Sequence, residues 1–213
     1  MTTLLIGFIL VLLVPLFVAT WRMSLLGLSL QGCLLTAMAW RLEGGEWSID
    51  AVATFVDLFV VRGVVAPWLL YGVLHARKAP DRNDVLPANL LAWAAAVGLV
   101  LLALRLAAVL VPIDGDQQMM VGAVVSGVLL GFLVLATQVG AFSQIIGAIR
   151  VENAVALFEL SGGPHEGGVA IHVGQTAILL ASILMFRWYL LRIAPAQPVR
   201  TDPAPDDLEE IVS

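Results

Sequence analysis

The chain has 213 residues, 60% of them hydrophobic and 13% charged, with a formal net charge of −5 and a mean hydropathy of +0.96. A soluble domain carries roughly 25% charged residues, so this composition excludes one and points to an integral membrane protein. Ten Arg and the single Lys78 form no patch for nucleic acid, Cys33 is alone and three His are scattered; this gives no basis for an intrachain disulfide or a metal site.

Apolar runs of about 20 residues predict membrane-spanning helices rather than barrel strands. The first runs from about Leu4 to Thr20, with Pro15 inside it. Met1 to Thr3 lacks a basic region and no small-x-small site follows, so a retained helix is expected rather than a cleaved signal peptide. Trp21 and Arg22 mark an interface. A second segment follows from about Leu25 to Trp40, slightly short and carrying Gln31, Gly32 and Cys33, and Arg41 to Trp47 form a turn.

The third segment, about Ile49 to Leu74, holds Asp57 and Arg62 at membrane depth and then Pro67. Pro67 cannot bond the Gly63 carbonyl, so a kink is expected there. In an α-helix, residues five apart project about 140° from each other. Asp57 and Arg62 are therefore expected to pair with other helices or water rather than with each other. The loop from His75 to Asn83 is the most basic (Arg77, Lys78, Arg82).

Segment four runs from about Ala88 to Val111, with Arg105 near its far end, and Pro112 to Asp116 make an acidic turn. Segment five, about Met120 to Gly140, carries Gly122, Gly127 and Gly131, which suit close helix contact. Phe142 to Gln144 read as a short connection. Segment six runs from about Ile145 to Leu160 and carries Arg150, Glu152, Asn153 and Glu159. A Gly-rich loop, Ser161 to Gly168, holds Pro164, His165 and Glu166. Segment seven, about Val169 to Leu190, has His172, Gln175 and Thr176 early in it, and Arg187, Trp188, Tyr189 and Arg192 form its exit belt. The last twenty or so residues are Pro-rich and acidic, a composition that predicts disorder.

The expected fold is thus an all-α membrane protein with seven transmembrane helices. Arg22, Arg77, Lys78, Arg82, Arg187, Arg192 and Arg200 fall on one side of it, and Arg41 is the only loop cation on the other. By the positive-inside rule the N-terminus is outside and the C-terminus cytoplasmic.

The stretch Gln144, Ile145, Ile146, Gly147 through Val151, Glu152 and Asn153 resembles component E of hydrogenase-4 and formate hydrogenlyase complexes. Arg62 followed by Pro67 looks like that family's basic residue and Pro. The last three segments resemble the K-type (NuoK-like) subunit of respiratory complex I, which places a Glu followed by Asn within its second helix. The resemblance divides the chain into an N-terminal four-helix part (1–112), a NuoK-like three-helix part (113–193) and a cytoplasmic tail (194–213). It implies antiporter-like and quinone-module-like membrane subunits and a soluble redox module as partners. The chain itself carries no cysteine set or dinucleotide fingerprint, so no cofactor is expected on it. Two departures stand out: Arg150 where the family has an apolar residue, and Gln175 or Thr176 where its last helix has a second carboxylate.

Burial in a low dielectric favours the neutral form of an acid. Such a group switches state when a neighbouring charge moves, as a proton relay requires. Glu152 is the expected relay residue, with Arg62, Asp57 and His172 as expected neighbours. Asn153, Pro67, Arg150 and Arg105 are expected to serve helix contact, Arg105 and Arg150 by anchoring or snorkelling. Glu159 lies seven residues after Glu152 on the same face and is expected to be solvated near the outer interface. Gln31 and Gln138 are expected to bond between helices. The alternatives are ion pairs that lock helices in a non-conducting assembly subunit, or a subunit of a multisubunit cation/proton antiporter. An independent transporter would often show an internal repeat, and none is evident.

Overall fold

A computed structural model describes residues 1–17, 20–45, 47–77, 90–111, 115–137, 141–162 and 168–192. Lys78, Arg82, Pro112, Asp114, Gln138, His165, Glu166 and the tail from 193 onward lie outside these residues, as do the side chains of Pro15, Arg77 and His172. The described residues are helical, with no strand among them. The helices are α1 (Thr2–Phe17), α2 (Trp21–Leu42), α3 (Ile49–Phe55), α4 (Ala66–Arg77), α5 (Leu90–Leu110), α6 (Gly115–Thr137), α7 (Ala141–Ser161) and α8 (Gly168–Arg192). Between α3 and α4 runs a π-helical segment, Val56–Val65, so the chain is continuously helical from Ile49 to Arg77. Among the described residues, five helices are long and apolar enough to cross a bilayer: α2, α5, α6, α7 and α8.

Local chemistry sets several helix ends. The Ser48 hydroxyl accepts from the Ala51 N–H at 2.9 Å and caps α3. After Leu42, Gly44 and Gly45 adopt φ of 73° and 80°, a left-handed conformation open to glycine at little cost, and end α2 where a turn was expected. Trp40, Trp47, Phe55 and Phe59 then form a run of ring contacts with centroids 4.8–6.2 Å apart. Other boundaries differ from expectation. α2 is not short, because it begins at Trp21 and reaches 22 residues. α7 begins at Ala141, so Phe142 to Gln144 are helix rather than connection, with Ser143 buried and Phe142 edge-on to Trp21. Asp116 lies in the first turn of α6, where an acid suits the helix dipole, and accepts from the Thr2 hydroxyl.

Packing does not follow chain order. α6 sits between α5 and α7, α1 leans on α2 and α6, and α2 also meets the π segment and α7. α8 packs chiefly on α3 and α4 rather than on its neighbour α7. The glycines expected to serve close contact do so. A Cβ on Gly122 would meet Leu104, one on Gly127 would lie 2.7 Å from Ala154 Cβ, and one on Gly131 would lie 2.5 Å from Val151. Among the described glycines, a close approach to backbone joins α2 to the π segment. A Cβ on Gly32 would stand 2.5 Å from Gly63 Cα and 2.8 Å from the Leu58 carbonyl oxygen.

Two apolar clusters make the core. Leu5, Phe8, Leu12, Leu35, Leu58 and Leu157 belong to one. Leu28, Val61, Leu70, Ile146, Ile149 and Ile183 belong to the other. Along α2 the changeover falls between Leu28 and Leu35, and along α7 between Ile149 and Ala156. Polar side chains occupy both gaps.

Because the Gly32 contact is with backbone, no side chain can swing aside to relieve a new methyl group. Gly32→Ala is expected to cost about 1–3 kcal/mol, a fall of about 2–10 °C in unfolding midpoint in detergent. Gly98→Ala, with nothing within 4 Å, is the control and should not lower it.

Candidate functional site

The two gaps are filled by one hydrogen-bonded chain of side chains. Arg62, on the π segment, donates from Nε to Asp57 Oδ2 at 3.0 Å. Its Nη1 donates to the Glu152 backbone carbonyl at 3.1 Å and to Asn153 Oδ1 at 3.4 Å. Asn153 Nδ2 donates to Gln31 Oε1 at 3.0 Å. On the other side, the Thr176 hydroxyl donates to Asp57 Oδ1 at 2.9 Å. The chain therefore runs Thr176, Asp57, Arg62, Asn153, Gln31 and ties α8, the π segment, α7 and α2 together.

Its depth follows from its place on each helix. Gln31 is the eleventh of 22 residues in α2 and Asn153 the thirteenth of 21 in α7. At 1.5 Å per residue both lie near mid-helix. Asp57, Arg62, Asn153 and Gln31 are all buried. Arginine can only donate, which fixes the sense of the amides: Asn153 must turn its oxygen to Arg62 and its nitrogen to Gln31. Gln31 Nε2 is then left buried with no hydrogen-bond partner.

The direct Asp57–Arg62 pair corrects the expectation of partners elsewhere. That expectation assumed α-helical rotation. The observed segment closes i→i+5 hydrogen bonds, as in Ala66 N–H to the Val61 carbonyl, and this brings residues five apart onto one side. The π segment stops just before Pro67, the residue with no N–H to give. Long π runs are rare, and short ones recur at functional sites.

The other expected residues are distributed as follows. Glu152 is on α7, but its carboxylate is exposed, in a row with Val155 and Phe158; only its backbone carbonyl joins the buried chain. The expectation of a carboxylate buried within this chain is thus corrected: at this level of α7 it is Asn153 that turns inward. Arg150 is 1% exposed, so it does not snorkel; it stands three residues before Asn153, on the same inward face. Arg105 is exposed, in keeping with an anchoring role. Glu159 is not simply solvated, because Gln175 Nε2 donates to its Oε1 at 2.7 Å. His172 lies in α8, with its side chain outside the described residues.

Two contacts escaped sequence reasoning. Gln175 and Thr176 are adjacent on α8 and each donates to a carboxylate of another helix, Glu159 and Asp57. Their signal was two neutral donors side by side in a mostly apolar helix. No group of three metal-ligating side chains occurs among the described residues. Comparison with known proteins finds no matching family model, no similar curated protein and no similar solved structure.

Removing one partner of a buried ion pair strands the other charge, typically at about 3–5 kcal/mol, whereas replacing both is far milder. Asp57→Ala should therefore lower the unfolding midpoint strongly. The double variant Asp57→Asn, Arg62→Gln is expected to be more stable than Asp57→Ala alone. Thermal melts of the two variants and the parent in one detergent check this; a double variant no more stable than Asp57→Ala would mean that the pair is not coupled.

Proposed function

We propose that the chain is a membrane-arm subunit of a complex-I-like respiratory or hydrogenase assembly, taking part in proton translocation coupled to redox chemistry in partner subunits. In this reading it crosses the membrane seven times, with α1 and the continuous helix Ile49–Arg77 joining the five helices named above. Its N-terminus is outside and its C-terminus cytoplasmic in this reading, which the distribution of Arg and Lys supports.

The placement of Glu152 carries this proposal. It is the twelfth of 21 residues in α7, so in a bilayer its carboxylate lies near the midplane, on an exposed apolar row. An acid facing lipid there costs at least about 2.5 kcal/mol. A neighbouring membrane subunit with a polar or basic group against this row would remove that cost. The same residue's carbonyl accepts from Arg62, so a charge arriving at Glu152 acts next to the buried chain of Asp57, Asn153 and Gln31. The likeness of Glu152–Asn153 and of Arg62 with Pro67 to the hydrogenase-4 component E pattern supports the same role.

A non-conducting assembly role is the second reading. It is favoured by the closure of the Asp57–Arg62 pair, both of whose partners are met within the chain. Glu152 discriminates between the two. A tagged chain purified from its native membrane is expected to bring with it antiporter-like and quinone-module-like membrane subunits and a soluble redox module. In that assembly, reconstituted in vesicles, Glu152→Gln should abolish proton translocation while subunit composition and redox turnover persist. Full pumping by Glu152→Gln would leave the assembly role, and recovery with antiporter-like subunits but no redox module would refute the redox-coupled reading.

A further inference from the structure

A groove of about 590 Å³ opens on the outer surface between α2 and the helix formed by the π segment and α4. It is independent of the buried chain and of Glu152. Its walls are apolar side chains such as Leu26, Phe59 and Val64, all exposed. Ser29 and Gly63, which carry little or no side chain, lie between these walls. Arg22 stands at one end and Cys33 near the other. Trp68 and Tyr71 flank the Arg22 end, since α2 and α4 run antiparallel, and both are exposed, Trp68 by 69%.

We propose that this groove binds the acyl chain of an anionic phospholipid, with the phosphate held by Arg22. Three features on the groove agree. First, its length is right: Arg22 and Cys33 are eleven residues apart on α2, about 16 Å along the axis. One leaflet of hydrocarbon is half of roughly 30 Å. Second, its polarity is graded along that length. The guanidinium and the amphipathic rings of Trp68 and Tyr71 lie at one end, where headgroups sit. Apolar walls follow toward the midplane. Third, the groove runs between two helices with only Ser29 and Gly63 as small residues between apolar walls, which suits a thin, linear occupant. An acyl chain meets that shape, and a negative phosphate complements Arg22.

Cys33 is the only cysteine, is exposed and lines the deep end of the groove, so it serves as the reporter without further mutation. The full chain, labelled at Cys33 with bimane, is placed in nanodiscs of phosphatidylcholine. Either phosphatidylglycerol or further phosphatidylcholine, brominated on the acyl chain, is then titrated in. One cation near the membrane surface attracts an anionic headgroup by an amount worth about fivefold in occupancy. Brominated phosphatidylglycerol is therefore expected to quench at about fivefold lower mole fraction than brominated phosphatidylcholine. Arg22→Gln should bring the two curves together, and Arg22→Lys should keep them apart. Equal curves in the parent protein would mean ordinary annular lipid and overturn the proposal. So would a preference that survives Arg22→Gln. Protection of Cys33 from both lipids would show that protein, a partner helix or a second copy, covers the groove, and would overturn it too.

Discussion

A guanidinium buried in the middle of the helix bundle is the constraint around which the fold is arranged. Arg62 is 4% exposed, and its guanidinium offers donors only. Its environment must supply acceptors, and it does so from three directions: a carboxylate on its own helix, a backbone carbonyl on α7 and a side-chain amide on α7. The carboxylate is within reach only because the helix is wound as π there. The π winding, the backbone contact of Gly32 with Gly63, and the stop at Pro67 therefore belong to one local solution. The chain bends its hydrogen-bond register to bring opposite charges together, and a glycine on each side lets α2 approach the widened turn.

That solution spreads outward through polar groups that are mostly neutral. Asn153 and Gln31 pass the demand for acceptors from Arg62 to α2, while Thr176 completes Asp57 from α8. Apolar clusters lie on both sides of this layer along α2 and α7. The layer thus fixes the register of four helices, a task that non-directional apolar contact performs poorly. Glu152 is placed differently: its backbone belongs to the layer and its carboxylate to the surface. The residue sits where an outer partner and an inner network can both reach it.

Much of the fold was legible in the sequence. Apolar run lengths located the helices, Gly122, Gly127 and Gly131 marked tight packing, and Gln31 was read as an interhelical bond. The site was less legible, for identifiable reasons. The Asp57–Arg62 geometry depends on a non-α winding that residue spacing does not announce. α7 is apolar nearly all round, so the choice between Glu152 and Asn153 for the inward position could not be made from periodicity. The clue lay in the neighbours: Ile146, Arg150, Asn153 and Leu157 share one face at spacings of three and four, whereas Glu152, Val155 and Phe158 share another. Glu159 and Asp57 find neutral donors on α8, which no search for charge complements would have proposed.

The pairing of Asp57 with Arg62 also bears on how the protein is made. Helices enter the bilayer in the order of synthesis, and α7 and α8 arrive last. Until then Arg62 lacks Asn153 and the Glu152 carbonyl, and Asp57 lacks Thr176. If this helix crosses a bilayer, as proposed above, two lone charges would each cost about 3 kcal/mol at its centre. Because the π turn lets them neutralise each other locally, the helix from Ile49 to Arg77 can form as a net-neutral unit before α7 and α8 are made. The later helices then need only complete its hydrogen bonds.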